Sequence, residues 1–252
     1  MAPFGTLLSQ WRRLRGKSQL DLAVDADVSP RHVSFVETGR SAPSREMVLT
    51  LASALHVPLR ERNALLLAAG YAPVFRETDL DAPELAPARR ALDLILKHQE
   101  PHPAVVMNRQ WDLVRTNRAA EKFFARLLRG QTPKAAKRPN VLRLMFDPKG
   151  LRPWVTNWEA VAEGLVQRVH REAVGGVTDD ATRRLLSEIL SYPGVPERWR
   201  MLDPTFATAP FIPVSFERGS LRVSYFSTVT TLGTAQDITL QELRVECFFP
   251  AD

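Results

Sequence analysis

Only one cysteine, Cys247, occurs in the 252 residues, which excludes an internal disulfide framework and any zinc site built from several thiolates. No run approaches the ~18 consecutive apolar residues of a membrane span, and the first residues lack the uninterrupted apolar core of a secretory leader. A cytoplasmic protein is the expectation. Signatures of catalysis are missing too: there is no phosphate-binding glycine loop, no dinucleotide fingerprint and no Gly-x-Ser-x-Gly elbow. His98 and His102 stand four apart, but Pro101 between them breaks the helix that a two-histidine metal face requires. Cys247 lies in an alternating apolar run and reads as a core residue rather than a nucleophile. No catalytic residue, metal or cofactor is predicted, and no internal repeat is visible.

What is present is length, with a modest positive charge. An excess of 34 Lys and Arg over 28 Asp and Glu, net +6, suits a polyanionic partner, but so small an excess over this length decides nothing alone. The chain is long enough for two ordinary domains.

The stretch from Gln19 to Gly39 carries the first functional signal. Ser18 is a natural N-cap answered by Asp21, and Leu22, Ala23 and Ala26 recur on one helical face. After Asp27-Val28, Ser29-Pro30 supplies a second N-cap with proline at the first helical position, where its missing N–H is no loss. Along this second helix Val33 and Val36 face inward, Arg31, His32, Ser34 and Phe35 stay outside, and Gly39 stops it. Ala23 is the small residue that two steeply crossing helices need. This is a helix-turn-helix, in which the second helix enters the major groove of DNA. Arg31 can fork onto guanine, His32 and Ser34 can donate or accept, and Phe35 can lie on a thymine methyl.

The flanking residues complete a five-helix domain. Phe4, Leu7, Leu8, Trp11 and Leu14 follow helical spacing. Arg12, Arg13, Arg15 and Lys17 crowd the end of that helix, where they suit either its dipole or DNA phosphates. Ser44 caps a helix bearing Val48, Leu51, Ala52 and Leu55, and a fifth helix runs from Arg60 to Ala69. Its Leu65, Leu66 and Leu67 cover the core or a dimer partner.

Q-L-D-L-A followed by V-S-P-R-H-V-S-F-V-E-T-G-R resembles the Xre/Cro group of helix-turn-helix repressors. The group usually carries glycine in the turn where this chain has Asp27. The resemblance implies that Gln19 binds a phosphate, that Arg31, Ser34 and Phe35 face bases, and that Arg40 and Arg45 flank the backbone; Ser29 and His32, at the start of the same helix, complete the candidate DNA-binding residues. Glu37 resembles an acid that such domains use internally. A single recognition helix reads few base pairs, so a homodimer on a pseudo-palindromic double-stranded operator is expected.

Pro73, Pro83 and Pro87 among acidic residues mark 73–87 as an extended connector, dividing a DNA-binding domain at 1–72 from a second domain at 88–252. The second domain opens with a short helix over about 88–98, then a β-hairpin through Ala-Val-Val-Met and Trp-Asp-Leu-Val-Arg. Asn117 caps a helix bearing Phe123 and Phe124, followed by a basic loop with Lys134, Lys137 and Arg138. Helices over 155–173 and 179–191 follow. Alternation at Ile212, Val214 and Phe216, at Leu221, Val223 and Tyr225, and at Leu243, Val245, Cys247 and Phe249 predicts three closing strands. The fold class is therefore an all-α five-helix domain plus an α+β domain with an antiparallel five-stranded sheet.

The strand pair feeding a capped helix resembles the start of a PAS domain. P-A-V-V-M-N-R-Q-W, T-N-R-A-A, G-L-R-P-W-V-T-N-W and F-F-P-A-D resemble the MmyB-like regulators, whose PAS-like domain is a ligand-binding, fatty-acid-associated sensor. The resemblance implies a small apolar ligand. A pocket needs apolar walls and a few polar groups. Trp111, Phe123, Phe124, Trp154, Trp158, Tyr225 and Phe226 are the candidate walls, and Arg152, Asn157 and Ser227 the candidate holders of a carboxylate or carbonyl. Together the halves read as a ligand-controlled transcriptional regulator, a repressor by preference. The alternatives are a constitutive dimeric repressor, whose second domain only dimerises, and an enzyme fused to a DNA-binding domain.

Overall fold

Apolar residues at helical spacing build the N-terminal half into α1 (Phe4–Leu14), α2 (Gln19–Asp25), α3 (Pro30–Glu37), α4 (Arg45–Ala54) and α5 (Leu59–Ala68). The caps are made locally. Ser18 Oγ accepts from Asp21 N–H at 3.1 Å while the Asp21 carboxylate accepts from Ser18 N–H at 2.7 Å. Ser29 and Ser44 cap α3 and α4 in the same way. Phe4, Leu8 and Trp11 of α1 join Leu22, Val33, Val36, Leu51 and Leu65 in one core. The leucines of α5 divide: Leu65 and Leu66 are buried, whereas Leu67 is 45% exposed.

Asp27 makes the turn between α2 and α3 with a left-handed φ of 52°, and Val28 N–H reaches back to Ala23 O at 2.9 Å. Aspartate is among the side chains that tolerate this conformation best. Gly5 answers a different constraint. A Cβ there would lie 2.2 Å from the Glu37 carbonyl oxygen and 2.7 Å from that of Val36, so α1 crosses the end of α3 with no room for a side chain.

The structure describes residues 2–131, 138–175, 180–201 and 212–251, the side chains of 172–175 excepted, so Lys134 and Lys137 lie outside the described residues. In this computed structural model the chain divides into two units. One holds the residues through Thr78 together with Thr234–Gln241; the other holds Asp79–Val174, Asp179–Gly233 and Glu242–Asp252. The predicted connector is thus not extended throughout. Asn63 of α5 accepts from the N–H groups of Val74 and Phe75 and donates to Phe75 O, and Pro83–Leu85 form a 3-10 turn with Leu85 buried. Thr234–Gln241 is held in the first unit by the same kind of bond. Asp237 accepts from Thr78 N–H and Oγ1 at 3.2 and 2.6 Å, Ile238 N–H donates to Arg76 O, and Gln241 Oε1 accepts from Leu59 N–H at 2.7 Å.

The second unit contains α6 (Ala86–His98), β1 (Ala104–Met107), β2 (Leu113–Thr116), α7 (Arg118–Leu128) and α8 (Val141–Phe146). Then come α9 (Trp158–Gly175), α10 (Asp180–Ile189), β3 (Val214–Arg218) and β4 (Leu221–Thr230). After α11 (Ile238–Glu242), which belongs to the first unit up to Gln241, β5 (Arg244–Pro250) is the last strand of the second. The five strands form one antiparallel sheet in the order β2-β1-β5-β4-β3. Buried Asn117 ties its start together: Oδ1 accepts from Ala120 and Ala104 N–H, and Nδ2 donates to His102 O. The long helix begins at Trp158, three residues later than its apolar spacing predicts. Arg152–Trp154 form a 3-10 turn and Val155 bridges to Phe216, so an isolated strand-like contact takes the residues that would have been the first turn.

Register decides what faces the helices. Val105 lies opposite Glu246, and Val106 opposite Val245. Val105 and Met107 join the core shared with α7, α8 and α9. Val106, Val245 and Cys247 are buried on the other face, so β1 and β5 are covered on both sides.

Candidate nucleic-acid interface and ligand cavity

The outer side of α3 presents the predicted readers. Arg31 is exposed, His32, Ser34 and Phe35 are half-buried, and Ser29 stands at the helix start with its hydroxyl accepting from His32 N–H at 3.1 Å. Phe35 is flanked by two guanidiniums, Arg31 at 5.0 Å and Arg40 at 5.9 Å from the ring centroid. An aromatic face attracts such cations and limits their rotamers. Arg40 and Arg45 are both exposed, the latter at the first position of α4.

Behind α3, Glu37 is an internal anchor. Arg12 grips both its oxygens, Nε to Oε1 at 2.7 Å and Nη2 to Oε2 at 2.9 Å, and Gln19 donates to Oε2 at 2.7 Å. Burial pushes the Glu37 carboxyl up, but those bonds and the charges of Arg12 and Arg13 outweigh it and hold the group below the usual carboxylate range. The basic cluster at the end of α1 is therefore largely engaged within the fold. Arg12 is buried, Arg15 donates to the carbonyls of Leu55 and His56, and Lys17 pairs with Asp25 and reaches Ala54 O. Gln19, the predicted phosphate ligand, has one amide hydrogen committed to Glu37.

In the second unit a cavity of about 70 Å³ lies on the sheet face turned to α7, α8 and α9. That is well under the several hundred Å³ of ordinary ligand pockets, so any guest of more than a few atoms would have to part the aromatic wall. Phe123 meets Phe216 and Tyr225 edge to face, with centroids 5.0 and 5.7 Å apart. Trp111 forms another wall. It is buried and held at a left-handed φ of 66°, a conformation that costs a bulky residue about 1–2 kcal/mol.

Four of the ten sequence-predicted pocket residues line this cavity: Trp111, Phe123, Phe124 and Tyr225. Ser227 is exposed and does not line it, although its hydroxyl donates to Glu246 Oε1 at 2.6 Å. The other five are placed elsewhere. Arg152 donates to Pro193 O and lies 3.7 Å over the Trp158 ring. Trp158 donates its indole N–H to Met145 O at 2.7 Å and packs in the core edge to face with Phe146 and tilted against Trp199. Asn157 is occupied by Pro213 O and Ser215 N–H. Trp154 lies under Arg218 in a separate open recess, and Phe226 stacks on Phe249 on the opposite sheet face.

Beyond those four, sequence reasoning missed the rest of the lining, including Val141, Met145, Phe248 and, most consequentially, Glu246. It took the odd-numbered apolar residues of β5 as the significant face. The signal that marks Glu246 is its even-numbered register with Phe248 on a strand whose two faces are both covered.

These units define a class: a DNA-binding transcription regulator with a separate ligand-binding domain. Residues 8–62 match the family described as helix-turn-helix, and residues 88–252 match the MmyB-like transcription regulator ligand binding domain. The second match spans well over half the chain, and the protein belongs to the MmyB-like transcription regulators. A comparison with curated proteins finds no match.

Proposed function

We propose that this chain is a cytoplasmic repressor that binds a pseudo-palindromic operator as a homodimer and is controlled by a small apolar ligand, such as a fatty acid, in its second domain. One observation carries the reading: a chain with an exposed recognition helix also contains a cavity walled almost entirely by apolar side chains. Arg31, His32, Ser34 and Phe35 read bases in this account, while Gln19, Arg40 and Arg45 hold phosphates and Ser29 orients the helix start. Leu67, exposed on α5, offers apolar surface to a second copy. The DNA-reading half ends close to Thr78, within the proline-marked stretch.

For control to occur, the ligand must prefer one of the two states of the dimer, since equal affinity shifts no equilibrium. A coupling of ~1–3 kcal/mol changes operator affinity about 5- to 150-fold. The test is denaturing extraction with mass spectrometry, followed by operator titration of loaded and stripped protein. A stoichiometric lipid and two separated curves support the reading. Identical curves leave the second domain as a dimerisation module, and turnover of the extracted compound makes it an enzyme.

A further inference from the structure

The cavity's polarity is unusual for a fatty-acid site. Among the described residues its lining contains no cation; its ionisable members are Tyr225 and Glu246. Arg152, the natural clamp for a carboxylate, is turned to Pro193 O. Arg168 of α9 and Arg244 of β5 lie over the Trp111 ring, 4.6 and 5.5 Å from its centroid, and neither lines the cavity. Glu246 does. Ser227 donates to its Oε1 at 2.6 Å, leaving Oε2 without a hydrogen-bond donor among the described residues.

We propose that Glu246 selects the polar end of the ligand, so that the cavity takes an aliphatic chain ending in a hydrogen-bond donor, an alcohol or a protonated acid, and disfavours a bare carboxylate. This rests on the cavity being the ligand site. Two carboxyl groups in hydrogen-bond contact cannot both ionise, so a fatty acid enters with one proton shared between its own carboxyl and that of Glu246. An alcohol brings its own hydrogen and needs none. Burial drives the Glu246 pKa upward, opposed by the Ser227 bond and by the charges of Arg168 and Arg244. The Tyr225 hydroxyl is raised by burial as well and stays neutral. The other cavity-facing residues of α7, α8, α9, β1 and β3 are apolar, and Cys247, next to Glu246 on β5, has a thiol raised first by burial and then by that carboxyl.

Full-length protein stripped of lipid is titrated with 1-decanol and with decanoate at about pH 6 and about pH 9, using tryptophan fluorescence, with operator affinity measured on the same samples. Decanoate binding should weaken about tenfold or more across that range, as uptake of one proton requires, while decanol binding stays within about twofold. Glu246→Gln, which offers an amide N–H to a carboxylate, should abolish the decanoate slope. The comparison of two ligands on wild-type protein stands even if the variant does not fold. Equal decanoate affinity at both pH values, or a slope that survives in Glu246→Gln, overturns the proposal. A slope without any change in operator affinity sinks ligand control and leaves the role of Glu246 intact; ligand-dependent operator affinity without a slope does the reverse.

Discussion

Arg12 and Glu37 lock α1 to the end of the recognition helix through two parallel hydrogen bonds of 2.7 and 2.9 Å, with both side chains nearly removed from solvent. Removing one member of such a pair strands the other charge, at about 3–5 kcal/mol. Glu37→Gln should therefore lower the stability of the DNA-binding unit by roughly that amount. The pH dependence has a defined sign. Because the folded carboxyl lies below the ordinary range, its contribution is fully present above the unfolded pKa of about 4.3 and is lost as pH falls through the lower folded value. Thermal melts between about pH 3 and pH 7 should fall at the acid end for wild type and less so for Glu37→Gln. Parallel curves would remove Glu37 from this role.

Phe35 is the second testable element, because both Arg31 and Arg40 rest on its ring. Arg31→Ala should lower specific binding by about 1–3 kcal/mol and relax preference at one base pair, and Arg40→Ala should weaken all sequences alike and reduce the salt slope by about one. Phe35→Ala should do some of both, since each guanidinium loses its platform. Competition binding on a randomised operator at several salt concentrations separates the three. A Phe35 variant that lost only thymine preference would leave the ring as a plain base contact.

Gly5 and Gly39 distinguish lack of room from backbone conformation. At Gly5 an added Cβ collides with two carbonyl oxygens at the end of α3; at Gly39 it meets nothing, but φ is +73°. Gly5→Ala should destabilise by about 1–3 kcal/mol or more through overpacking, and also weaken DNA binding, since α3 must move. Gly39→Ala should cost about 1 kcal/mol from the left-handed backbone. Urea denaturation with operator titration checks both; equal effects would mean that α1 and α3 separate freely.

These residues show where the sequence was legible. Caps, helical spacing and strand alternation are local properties, and they located the helices, the sheet and the outer face of α3. Gly5 and Arg12 carry no local signal: one looks like an ordinary helix residue and the other like one more cation in a basic cluster, until α3 is packed against them. Glu246 was hidden for the same reason. Alternation in β5 distinguishes two faces but does not say that both are covered, and only the uniformly apolar one reads as a core face. The aromatic candidates failed where an aromatic ring filled the core instead, as Trp158 does against Phe146 and Trp199.

The segment Thr234–Gln241 gives the last prediction. It belongs to the DNA-binding unit, yet in sequence it joins β4 to β5, the strands that supply Tyr225, Glu246 and Phe248 to the cavity. Asp237 holds it by accepting from Thr78 N–H and Oγ1 and from Thr239 N–H, and Gln241 accepts from the first N–H of α5, where Pro58 offers no side-chain cap. If the proposed ligand parts the cavity wall, β4 and β5 shift, and covalent continuity would carry that shift to this segment. Four hydrogen bonds at about 0.5–1.5 kcal/mol each put the loss at about 2–6 kcal/mol, so circular dichroism first checks that Asp237→Ala with Gln241→Ala is folded. In that double variant the affinity of free protein for operator and of the cavity for decanol should hold within a few-fold, while the factor by which ligand changes operator affinity falls toward one. Linkage requires operator to lose its effect on ligand binding by the same factor, which gives an independent check on the same samples. Factors that stay at their wild-type values in the double variant would end the case for the β4–β5 connection.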